Sequence, residues 1–239
     1  MRHLAFQAAH RFTVAVPAER FILIPGMGAD ERLFGPQRAY GFTFETFRLP
    51  IPEPQDDLPA YAARIKAMLD LTGPCVVGGV SFGGMVACEL ATICQARCAI
   101  LIASCRDNSA IPQYYWWVDR MARIFPDFLI RHRCGASSRI MAKLEFLTDE
   151  QRELIRAMAG DIPVPFLRGA GRLILNWAGR RELPRPTYHI HGEIDRIIPL
   201  KGVQPDEVVA RGGHLINLTH AEQVNRFIER CLFSNSFRA

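Results

Sequence analysis

Gly79-Val80-Ser81-Phe82-Gly83 sets a serine between two glycines, directly after the apolar run 75–80 and before the helix-patterned run 85–90. A serine at such a strand-to-helix turn takes strained backbone angles, and its neighbours must be small because the helix folds back closely on the strand. Gly79, Gly83 and Gly84 supply that room. The bend lifts the Ser81 hydroxyl above the sheet edge, at a helix N-terminus where amides point outward. That is the placement of a nucleophile. The competing reading, a phosphate-cradling loop, lacks the lysine or further spaced glycine such loops add.

A serine hydroxyl is a poor nucleophile near neutral pH, so this chemistry needs a histidine base and an acid to orient it. Among seven histidines, His214 in Arg211-Gly212-Gly213-His214-Leu215 follows the last predicted strand and precedes the C-terminal helix. It therefore sits on a loop at the sheet edge expected for Ser81. His220 reads as a surface or cap residue, and His189 and His191 alternate along a strand as core or edge histidines. The acid is expected in His191-Gly192-Glu193-Ile194-Asp195, where a strand ends at a glycine and Asp195 follows in the loop. Glu193 and Asp107 are its rivals.

A developing oxyanion needs two backbone donors. The Phe82 amide directly follows the nucleophile, and the turn Pro25-Gly26-Met27-Gly28 after the first strand offers the Met27 amide. The Gly26-x-Gly28 pair is not a dinucleotide fingerprint: a third glycine is missing, and Asp30-Glu31 would repel a pyrophosphate.

These residues require strands and helices in alternation. Residues 21–25, 42–49, 75–80, 99–103, 188–191 and 207–210 read as strands, and 58–71, 82–96 and 221–232 have helical spacing. Alternation of this kind implies a mostly parallel sheet covered on both faces. Residues 105–184 break the rhythm with Tyr114-Tyr115-Trp116-Trp117, several helical stretches and Pro163-Val164-Pro165. They read as a helical cap inserted over the C-terminal sheet edge, where open α/β sheets bind ligands. The expected division is 1–104 and 185–239 as core and 105–184 as cap, with 1–18 either an extra strand or a loose arm.

The chain has 239 residues and a formal charge of +5, and only Lys66, Lys143 and Lys201 of its 29 basic residues are lysine. The arginines are scattered, so nucleic-acid binding is not indicated, although a basic face for an acidic partner fits. Seven cysteines, odd in number and without a C-x-x-C pair, suggest free thiols in a reducing cytoplasm. The N-terminal apolar stretch is weak as a signal peptide, and no segment approaches the roughly 18 consecutive apolar residues of a membrane span. No ligand cluster points to a metal or an organic cofactor.

In order, these segments resemble an α/β-hydrolase over nearly the whole chain, excepting residues 1–18 and the cap. The order Ser81, Asp195, His214 is that family's order. Its H-G-x-x-D-x-x-x-P segment is matched by residues 191–199 and its G-G-H segment by residues 212–214. Where the family commonly has His-Gly at the oxyanion loop, this chain has Pro25-Gly26. Size and single cap are similar to small carboxylesterases, including those that cleave methyl esters of acyl chains on acyl carrier protein. The resemblance implies an acyl ester or thioester substrate. Arg131, Arg133, Arg139 and Lys143 are candidates to face an acidic carrier, although a solvated basic surface is the commoner meaning of such charges. Tyr114 and Trp117, with Phe166 and Trp177 as further candidates, are expected either to line an acyl pocket or to form the cap's own core. C–C hydrolysis, lyase or perhydrolase chemistry and a hydrolase-like binding protein are the alternatives on the same fold.

Overall fold

The computed structural model describes residues 19–130, 145–180 and 182–233. Five strands form one sheet: β1 (Arg20–Ile24), β2 (Pro74–Val80), β3 (Gln95–Ile102), β4 (Thr187–Gly192) and β5 (Glu207–Val209). They lie in the order β1-β2-β3-β4-β5, and every neighbouring pair is parallel. A parallel sheet needs crossovers that cover its faces. Accordingly β2 is apolar and buried from Cys75 to Val80, and β3 from Cys98 to Ile102.

Eight helices with described bounds surround the sheet. They are α1 (Gly35–Tyr40), α2 (Leu58–Met68), α3 (Phe82–Ile93), α4 (Tyr114–Ile124), α5 (Asp149–Asp161), α6 (Val164–Asn176), α7 (Ile216–Thr219) and α8 (Ala221–Phe233). Side chains of α2, α3 and α6 pack on one cluster with Ile22, Val77 and Leu101. Those of α8, together with Phe34 and Met158, pack on the other with Leu23, Val76 and Ile100. Successive residues of β1 and β2 thus feed opposite clusters, as the period-two alternation of strand side chains requires. Helix α2 begins with Asp57 accepting from the Ala60 amide and with proline in its first turn, the usual N-terminal signals. Helix α5 opens on a capping box between Thr148 and Gln151.

Five of the six predicted strands are present. The sixth, 42–49, is a single bridge between Ile22 and Glu45, with Leu23 N donating to Glu45 O and Glu45 N to Phe21 O. Its alternation is real, since Phe42 and Phe44 are buried. The chain nevertheless leaves the edge of β1 as it approaches Pro50 and Pro52, which cannot donate to a ladder. Helix α3 stops at Ile93 rather than 96, because Cys94 turns extended and β3 begins at Gln95.

The stretch between β3 and β4 holds α4, α5 and α6. Arg172 of α6 donates to the carbonyls of Asp56 and Glu53, and Phe166 meets Phe82 edge-on with ring centroids 6.4 Å apart. The four basic residues proposed for a carrier, 131, 133, 139 and 143, lie outside the described residues. No helix among the described residues is long and apolar enough to cross a membrane.

Candidate active site

Ser81 joins β2 to α3 with φ 54° and ψ −120°, a left-handed conformation that costs a non-glycine residue on the order of 1–3 kcal/mol. The surroundings hold it there. Its amide donates to Ile102 O, its carbonyl accepts from Gly84 N and Met85 N, and Ser104 Oγ donates to the same carbonyl at 2.7 Å. A Cβ on Gly83 would lie 2.1 Å from Ile24 O, and one on Gly79 2.3 Å from Gly83 C. The glycines therefore permit strand and helix to touch backbone to backbone, as their spacing predicts.

The turn after β1 runs against this elbow. A Cβ on buried Gly26 would sit 3.3 Å from Ser81 Cβ, so Pro25-Gly26-Met27 passes beside the serine. The Met27 side chain is 43% exposed. Phe82 is the first residue of α3, and its amide is one of those a helix leaves without an internal partner. The Phe82 ring is fully buried between Tyr61 and Phe166.

Asp195 and His214 meet directly, with Nδ1 of His214 2.7 Å from Oδ2 of Asp195. The two loops that carry them are zipped together: Glu193 N donates to Val209 O, and Ile194 N to Gly212 O. Oδ1 of Asp195 accepts from the amides of Ile197 and Ile198 at 2.8 and 2.9 Å. Because a carboxylate only accepts, the shared proton sits on Nδ1, and Nε2 is left with a lone pair. Burial alone would raise the Asp195 pKa, but the charge and hydrogen bond of His214, the Ile198 amide and His191 hold it below the ordinary carboxylate value. Burial alone would lower that of His214, but Asp195 and the charge of Glu145 hold it above the ordinary histidine value. Of the rivals, Glu193 accepts from Arg211 N, and Asp107 from the amide and hydroxyl of Ser109.

His189 and His191 are core residues, 1% and 0% exposed. His191 Nε2 donates to Ile198 O at 2.8 Å, which leaves its Nδ1 to accept from His189 Nε2 at 3.0 Å. Burial, followed by the neighbouring His191, pushes the His189 pKa down to about 3, so both rings are neutral and brace the Asp195 loop from below. His220 is half-buried, with Nδ1 2.9 Å from Thr219 Oγ1.

Tyr114 is 53% and Trp117 70% exposed. Tyr114 stacks on Tyr115, and it is Tyr115 that turns toward the core. Phe166 and Trp177 are buried in that core. Burial pushes the thiols of Cys88 and Cys98 up to about 12 and 11, which makes them poor nucleophiles.

Sequence reasoning missed Ser104 and Glu145. Glu145 reaches from ahead of α5 to accept from His214 N at 2.7 Å and Leu215 N at 2.9 Å. A carboxylate bound to amides some seventy residues away leaves no pattern along the chain.

The profile of the alpha/beta hydrolase family matches residues 3–227. A pimeloyl-[acyl-carrier protein] methyl ester esterase of Xanthomonas oryzae pv. oryzae is 30% identical over 203 residues, covering 74% of this chain and 77% of that protein. A thermophilic esterase from Thermogutta terrifontis superposes with a TM-score of 0.72 at 22% identity, over 90% of this chain and 89% of that one. An esterase from Exiguobacterium antarcticum superposes with a TM-score of 0.71 at 13% identity, over 89% and 91%.

Proposed function

The chain belongs to the alpha/beta hydrolase family, and on that footing we propose that it hydrolyses carboxylic ester bonds through Ser81, His214 and Asp195. The observation that carries the reading is the bond between His214 and Asp195, set at the same C-terminal sheet edge as the left-handed Ser81. In this reading His214 Nε2 takes the Ser81 proton, and Oγ attacks the ester carbonyl. The Phe82 and Met27 amides receive the oxyanion, and the imidazolium returns its proton to the departing alcohol. Water activated by the same histidine then releases the acid from the acyl-enzyme. Asp195 holds the tautomer and stabilises the imidazolium.

The 74% coverage of the methyl ester esterase and the charge of +5 support an acyl ester substrate whose acyl chain rides on an acidic carrier protein. Residues 105–184 act in this reading as the cap, and the exposed rings of Tyr114 and Trp117 meet the incoming acyl chain. Six described cysteines are free and buried, which favours a reducing cytoplasm.

Ser81→Ala is the direct test. It is expected to lower turnover of a p-nitrophenyl ester by about 10³-fold or more without moving Tm, and to abolish labelling by a fluorophosphonate probe. Near-normal hydrolysis by that variant sinks the assignment. A series of methyl esters of rising chain length, free and carrier-bound, then reads the acyl preference. Identification of the acid and alcohol products separates ester hydrolysis from C–C cleavage.

A further inference from the structure

We propose that Glu145 is a positioning residue for His214, clamping the loop that presents the base; this rests on His214 being the base. Three features of the fold converge on that role. The first is the pairing itself. The two carboxylate oxygens each take one amide, Oε1 from His214 at 2.7 Å and Oε2 from Leu215 at 2.9 Å. Glu145 is 8% exposed, so little water competes with those bonds. A buried carboxylate gripping two consecutive amides fixes both the position and the tilt of the peptide between them.

The second is the shape of the segment. Phe146 is left-handed, with φ 54°, and its ring is 75% exposed. That turn lets the residues on either side face inward together. Glu145 reaches the His214 amide while Leu147 packs on Leu215. The following helix continues the contact, because Gln151 Nε2 donates to Leu218 O at 3.0 Å.

The third is the space left for the carboxylate. A Cβ on Gly213 would lie 2.3 Å from Glu145 Oε2 and 2.5 Å from Oε1. The glycine before the histidine is therefore what admits Glu145. The loop receives its base-positioning contacts from two sides, Asp195 at the ring and Glu145 at the backbone. The second comes from the segment between β3 and β4, so movement of that segment carries to the base.

The groups that face His214 among the described residues are Asp195 from the loop after β4, His191 of β4 and Glu145. Asp195 and Glu145 favour the protonated imidazole, and His191 is neutral. Removing the charge of Glu145 must lower the His214 pKa, so the acidic limb of kcat/KM moves to lower pH. The test is Glu145→Gln, an isostere that keeps one acceptor oxygen and loses the charge.

At pH 8 its kcat/KM is expected to fall about 10- to 100-fold, the usual cost of misplacing a reacting group by about 1 Å, with the acidic limb moved down. Gly213→Ala displaces the same carboxylate with Glu145 still present and is expected to lower kcat/KM as well. Its penalty should be smaller in the Glu145→Ala background, where the collision is gone. Wild-type kcat/KM and an unmoved acidic limb in Glu145→Gln overturn the proposal, as does a Gly213→Ala penalty unchanged by Glu145→Ala. Ser81→Ala run alongside separates the two failures: an active Ser81→Ala removes the serine mechanism itself. An inactive one beside an unaffected Glu145→Gln removes only the clamp.

Discussion

At the scale of single residues, backbone crowding around Ser81 decides which glycines are indispensable. A methyl at Gly83 would meet the Ile24 carbonyl at 2.1 Å, with backbone on both sides and nothing free to swing away, whereas one at Gly160, near the end of α5, would meet nothing within 4 Å. Gly83→Ala is therefore expected to destabilise by at least about 1–3 kcal/mol and to lose activity even where folded. Gly160→Ala, within α5, should be neutral or stabilising by up to about 1 kcal/mol. Urea unfolding of both reads the contrast, and a wild-type midpoint for Gly83→Ala contradicts the close approach. The turn at Ser81 is legible in five letters because its immediate neighbours constrain it, and the loops of Asp195 and His214 because they follow strand ends; Glu145, held by the amides of residues 214 and 215, leaves no local signature.

At the scale of elements, strands buried on both faces were legible because apolar runs bounded by turns admit few other structures. The stretch 42–49 reads as a strand and forms a single bridge: alternation reports which side chains are buried, not how many backbone pairs form. The alternation of His189 and His191 reads as core or edge, the structure buries both rings, and the consequence lies in the pH dependence of stability. Below pH 6.5 the unfolded chain protonates His189, while the folded chain resists to about pH 3. Stability must then fall with acidification through that window, by about 1.4 kcal/mol per pH unit below the unfolded value, or about 2 kcal/mol at pH 5. The lowered values of His191 and Asp195 act in the same sense. The raised value of His214 acts oppositely, contributing stability at low pH that is lost as pH rises through its folded pKa. In His189→Gln, whose amide can still donate to His191 Nδ1, the loss of unfolding free energy between pH 7 and pH 5 should shrink by about 2 kcal/mol. An unchanged slope in denaturant titrations at the two pH values rules His189 out as the source.

At the scale of the whole molecule, the sequence shows a long helical segment between two strands but not how it is tied down, because the ties join residues far apart. The two ends of that segment meet where Arg180 N donates to Arg106 O at 2.6 Å. The returning end is then fastened to the helix that starts at Ser81. Glu89, in the middle of α3 and 1% exposed, accepts from Trp177 Nε1 at 2.6 Å and from the Arg180 guanidinium at 3.0 to 3.1 Å. A buried acid among the apolar residues of α3 would be costly alone; with an indole and a guanidinium on it, it becomes a fixed point joining the β3–β4 segment to α3. Glu89→Ala leaves the Trp177 N–H buried without its partner and is expected to cost about 1–3 kcal/mol. Arg180→Ala strips the buried Glu89 carboxylate of its guanidinium and leaves it the indole N–H, so it is expected to destabilise as well. Since α3 also carries Ser81 and Phe82 at its head, Glu89→Ala should lower kcat/KM together with the denaturant midpoint. Unfolding curves and ester kinetics on the same preparations decide it: a wild-type midpoint in Glu89→Ala means that the β3–β4 segment is held by its apolar contacts, Phe166 on Phe82 foremost, and that the buried acid adds nothing to them.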